Sequence, residues 1–94
     1  PLSLGEIEQV VQLQLEHIRV MLGEQEMKLE VTGDAVKLIA SLGYDPLFGA
    51  RPLKRVLQQK VLNELSKMIL SGKLTSGSTI TISEKDKAFT YSVS

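Results

Sequence analysis

The sequence predicts an α+β fold in which three main helices pack on a small three-stranded sheet. Three stretches carry apolar residues at helical spacing, three short ones alternate apolar and polar residues, and segments rich in turn residues separate them. The order is helix, strand, helix, helix, strand, strand. Strands this short form one mixed or antiparallel sheet covered by the helices.

Each element carries its own signal. Ser3 and Glu6 have the spacing of a capping box, with Leu2 and Ile7 at the flanking positions of a hydrophobic staple, so the first helix starts at Ser3. Ile7, Val10, Val11, Ile18, Met21 and Leu22 form its apolar stripe and Gly23 its stop. Leu13, Leu15 and Val20 widen that surface, which suits either the domain's own core or a neighbouring body. Met27 to Val31 alternates, placing Met27, Leu29 and Val31 on one face of a strand. Thr32 caps a second helix whose buried side holds Ala35, Leu38, Ile39 and Leu42, with Val36 at its margin; Gly43 ends it as a left-handed residue. Leu53, Val56, Leu57, Val61, Leu65, Met68 and Ile69 mark one face of a third helix running to about Leu70, closed by Ser71 and Gly72. Thr75 to Ser78 reads as a turn and Thr79 to Ile82 as a strand; the charged link Glu84 to Lys87 leads to the returning strand of a hairpin, Phe89 to Val93. The last few residues are expected to fray.

Composition limits the rest. The 94 residues make one domain with a single modest core. Lys and Arg number 11 against 11 Asp and Glu, a formal charge of zero, which argues against a generic polyanion binder, nucleic acid included, while leaving room for a local basic site. The absence of cysteine removes disulfides, zinc thiolate sites and thiol catalysis together. No apolar run approaches the roughly 20 residues of a membrane span, and the N-terminus lacks a charged-then-apolar signal pattern. The expectation is a soluble intracellular domain.

The chain is organised around Gly43-Tyr44-Asp45-Pro46-Leu47-Phe48-Gly49-Ala50-Arg51-Pro52-Leu53-Lys54-Arg55, a shaped loop feeding a helix. Pro46 holds Asp45 extended and Pro52 suits a first helical turn, so Arg51 stands at the mouth of the third helix with Lys54 and Arg55 one turn on. A cation at a helix start suits an anion such as phosphate; the competing reading pairs Arg51 with a local carboxylate. Elsewhere the chemistry is sparse. His17 has no serine, cysteine or metal-ligand partner at a telling spacing and reads as structural, while Asp34, Asp45 and Asp86 read as caps and turns, so no metal site is expected. There is no GxxxxGK[ST] phosphate loop, so most of any ATP site would lie outside this chain.

GYDPLFGARPLKR resembles the sensor-2 segment in the small C-terminal subdomain of Clp-type AAA+ ATPases, and the run to Gln58 is most similar to the ClpB disaggregase branch. The resemblance begins at Pro1-Leu2, similar to the end of a linker leaving the large ATPase subdomain, and fades after about Ile82. It implies a lid that closes over ATP held, with magnesium, by the large subdomain of the same chain. By motif, Arg51 would approach the terminal phosphates, and Gly49 and Ala50 would let the backbone come close. Tyr44, Asp45 and Phe48 would border the adenine and ribose side or brace the loop. Leu47-Phe48 departs from the family's usual smaller or polar residue followed by tyrosine. The resemblance further implies a hexameric ring whose subunits touch through such lids, aggregated or unfolded protein clients, and a cytoplasmic or organelle-matrix location. The isolated fragment would not hydrolyse ATP. Two rival readings use the same element order: a winged-helix DNA-binding domain with Arg51, Lys54 and Arg55 opening the recognition helix, or a nucleotide-independent oligomerisation module.

Overall fold

A computed structural model describes residues 3–94. The expected order is present: α1 (Leu4–Gly23), β1 (Lys28–Val31), α2 (Gly33–Leu42), a third helix, then β2 (Thr79–Lys85) and β3 (Ala88–Val93). The capping box forms as read, with Glu6 N–H donating to the Ser3 hydroxyl and Ser3 N–H to the Glu6 carboxylate, each at 3.2 Å. The Leu2 half of the staple lies outside the described residues. The sheet order is β1-β2-β3, with β1 parallel to β2 and β2 antiparallel to β3. It is therefore mixed.

One core joins the layers. Ile7, Val11, Leu15, Ile18 and Leu22 bury one stripe of α1 alongside Leu29 of β1 and Ile80 and Ile82 of β2. Leu13 and Val20 stay outside, and so does Met21, which the spacing had placed on the stripe. In α2 the expected Ala35 and Ile39 are fully buried, but the arc around them falls one residue round from the expected one. Val36, Ile39, Ala40 and Gly43 lie inward at i, i+3, i+4 and i+7, so Leu38 is half-buried and Leu42 exposed. The C-terminal end of this arc is a glycine because the next helix comes very close there. A Cβ on Gly43 would lie 2.9 Å from the Leu53 Cα and 2.7 Å from its Cδ1. Gly43 has φ −87°, so it ends the helix through lack of bulk and not through the left-handed conformation expected of it.

The third helix runs without a break through α3 (Leu53–Val56), a π-helical segment Leu57–Leu62, and α4 (Asn63–Leu70). Its deeply buried residues, Leu53, Leu57, Val61 and Leu65, recur every four positions. On a 3.6-residue turn such a ladder drifts by about 40° per step, or about 120° from first to last. A π turn holds more residues and turns the ladder back toward the core. Met68 is half-buried, and Ile69, also expected on that face, sits at the rim.

The hairpin is longer than its apolar pattern. Asp86 and Lys87 take φ of 53° and 65°, the geometry of a two-residue hairpin turn, so Lys85 still pairs with Ala88. Ser94, expected to fray, exchanges two 2.9 Å backbone hydrogen bonds with Thr79.

Gly43→Ala is expected to lower stability by about 1–3 kcal/mol through overpacking against Leu53. In a domain of this size each kcal/mol lowers Tm by about 4–8 °C, measurable by thermal unfolding.

Candidate functional site

The loop between α2 and the third helix is tied by its own atoms. Asp45 N–H donates to the Gly49 carbonyl at 2.8 Å, and Gly49 N–H returns a bond to the Asp45 carbonyl at 2.7 Å. One oxygen of the Asp45 carboxylate accepts from the N–H groups of Leu47 at 2.7 Å and Phe48 at 3.1 Å. This is the aspartate turn chemistry read from the sequence. Gly49 sits at φ +63° in open space, so glycine is required there by backbone conformation. Tyr44 and Ala50 are half-buried against the core and anchor the loop's two ends.

This frame presents Arg51. Its N–H donates to the Phe48 carbonyl at 3.3 Å, and its guanidinium carbon stands 5.6 Å from the centre of the exposed Phe48 ring. An aromatic face at that distance attracts and orients the cation without neutralising it. The ion pairs among the described residues join Arg19 to Glu16 and Lys67 to Glu64, leaving Arg51, Lys54 and Arg55 without a carboxylate partner. The local pairing weighed for Arg51 is therefore absent. All three cations are exposed. The six expected site residues, Tyr44, Asp45, Phe48, Gly49, Ala50 and Arg51, lie in one loop, with Tyr44, Asp45, Gly49 and Ala50 as its frame, the Phe48 ring against the guanidinium and Arg51 as its exposed cation.

The element spacing had not indicated a groove of about 360 Å³ between α1 and the third helix. Val10, Gln14, His17, Ile18 and Met21 line one wall, and Leu53, Lys54, Leu57, Gln58 and Leu62 the other. Leu53 and Lys54 open the third helix two and three residues after Arg51, so the loop leads into one end of the groove, while the Arg51 guanidinium itself lies over Phe48 and does not line it. His17 is exposed on this wall, and no group of three His, Cys, Asp or Glu able to hold a metal ion occurs among the described residues. The available signal was Val10 and Met21, apolar residues at the margins of the α1 stripe.

The family described as the C-terminal, D2-small domain of ClpB protein matches residues 2–82. A chaperone protein ClpB of Vibrio cholerae is 48% identical over 86 residues, 92% of this chain and 10% of that protein. One from Rickettsia conorii is 43% identical over 93 residues, 99% of this chain and 11% of that protein. Chaperone protein ClpB3, chloroplastic, of Arabidopsis thaliana is 44% identical over 89 residues, 95% of this chain and 9% of that protein. The chain thus spans about a tenth of the length of the curated relatives it matches.

Asp45→Ala removes the shared acceptor for two amides. It is expected to speed hydrogen exchange at Leu47 and Phe48 and to lower stability by about 1 kcal/mol, with Asp45→Asn, which keeps an acceptor oxygen, closer to the parent.

Proposed function

The chain belongs to the family of C-terminal, D2-small domains of ClpB, an AAA+ ATPase, and from that premise we propose that it is the nucleotide-sensing lid of an ATP-dependent chaperone that unfolds and disaggregates proteins. The observation that carries the reading is Arg51: an exposed guanidinium on a hydrogen-bonded loop, without an acidic partner among the described residues, two residues ahead of Leu53 in the wall of an apolar groove. A cation left unpaired on a fixed frame is suited to an anion supplied from outside.

The residues fit ATP held mainly by the large subdomain, where the phosphate loop and magnesium would be. ATP hydrolysis there would supply the free energy for work on clients. Arg51 directs its forked donors at terminal phosphoryl oxygens and compensates charge as the bond to the leaving group breaks. Lys54, on the next turn, adds positive potential along the same line. The apolar wall at Leu53 and Leu57 offers the groove a surface against which a base could be buried. Tyr44, Asp45, Gly49 and Ala50 keep the loop backbone close and unobstructed.

Such a contact is also mechanical. If Arg51 binds ATP more strongly than ADP, the difference in affinity is the energy that reorients the lid. Exposed Leu13 and Val20 on α1 and Leu70 at the end of α4 are the proposed contacts to the large subdomain and to neighbouring subunits of a hexamer. Aggregated or unfolded polypeptides would be the clients, in cytoplasm or an organelle matrix. Family membership favours this reading over the DNA-binding and passive-oligomer alternatives.

The test is ATP turnover and ring assembly of the intact parent chain carrying Arg51→Ala. Turnover is expected to fall by about 10²-fold or more while rings persist, with Arg51→Lys recovering little because a lysine lacks the fork. Unchanged turnover would make Arg51 a structural cation and overturn the reading.

A further inference from the structure

The π-helical segment Leu57–Leu62 has two unlike sides. Leu57, Gln58 and Leu62 line the groove between α1 and the third helix. Lys60 lies on a second cleft with Glu64, Leu42 and the β3 residues Phe89 and Tyr91. The Tyr91 hydroxyl crosses that cleft and donates to the backbone carbonyl of Lys60. Within the same segment the Asn63 N–H reaches back five residues to the Gln58 carbonyl, and the Gln58 amide donates to the Asn63 side chain at 2.9 Å.

We propose that Tyr91 is a positioning residue for the Arg51 site: its hydroxyl fastens the π turn to the sheet and so sets the rotation of Leu53–Val56, with Arg51 just ahead of it. A π turn accommodates one residue more than an α turn. Removing it shifts one flank against the other by about 100° and about 1.5 Å. The direction in which Arg51 and Lys54 point is therefore tied to the register of Leu57–Leu62. Only one side-chain hydroxyl from the sheet donates to a carbonyl inside that segment among the described residues, and it comes from Tyr91. Burial, and secondarily the nearby Glu64, push the Tyr91 hydroxyl up to about 12. It therefore stays protonated and donating below pH ~10, the unfolded value, and the contribution is lost only as pH rises from there through about 12.

The functional half of this inference rests on the nucleotide-sensing reading of Arg51; the structural half does not. Tyr91→Phe keeps the ring and removes only the donor. In the intact parent chain, hydrogen exchange of peptides spanning Leu57 to Glu64 is expected to quicken by about fivefold, the factor for one neutral hydrogen bond. The KM for ATP is expected to rise by up to that factor with kcat at saturation unchanged, because ATP selects the competent register. Saturating ATP should restore protection to the segment in the variant. Exchange that does not change overturns the bracket itself. Faster exchange with unaltered KM overturns the positioning role. Arg51→Ala run alongside separates the two ideas: if it leaves turnover intact, the sensing reading fails while the exchange result still reports on the π turn.

Discussion

Gly43 and Leu53 touch where α2 ends and the third helix begins, leaving no room for a side chain on the glycine. That contact closes a loop of nine residues at its base, and the loop carries Arg51. With both ends of the segment held together and Tyr44 and Ala50 inserted into the core margin, the loop has little freedom to swing. A short loop with fixed ends and internal hydrogen bonds loses little further entropy when it meets a ligand. The local chemistry then reinforces the closure: Asp45 satisfies two amides and Gly49 takes the left-handed turn that sends the chain back.

The exposed guanidinium contrasts with this economy. The Asp45 carboxylate and the backbone amides of Asp45, Leu47, Phe48, Gly49 and Arg51 hold the loop together, yet the Arg51 guanidinium is left to solvent and one ring face. Stability alone gives no reason for a cation here, since a stacked, exposed arginine contributes about 0.5–1 kcal/mol at most. Membership in the ClpB small-domain family supplies a reason compatible with the geometry. The proposed lid would need its cation uncommitted in the absence of nucleotide and fixed in direction.

Most of the fold was legible because its signals are local. The capping box at Ser3, the Thr32 cap and the alternation in β1 and β2 depend on neighbours within four residues, and all formed. What sequence spacing missed depends on distant contacts. Leu42 reads as core by period, but the inward end of α2 is set by Leu53, eleven residues later, which leaves no room for a side chain on Gly43. Met21 reads as core likewise, but the third helix leaves a groove over it. The motif placed Arg51 correctly in an exposed loop, whereas its freedom from carboxylates emerged only once the chain had folded around it.

The π turn shows how such a distant demand enters a helix. Four deeply buried residues at intervals of four would spread over about 120° of a regular α-helix, carrying the last toward the edge of the buried face. Inserting extra residues into one turn keeps the ladder buried, at the expense of poorer backbone hydrogen bonding in that turn. A carbonyl there is available to an outside donor, and β3 provides one in Tyr91. The same distortion that completes the core therefore joins the sheet to the helix that begins just after Arg51. The start of that helix cannot rotate relative to the sheet without straining a bond to the strand farthest from β1, so helix and sheet are tied together as one body.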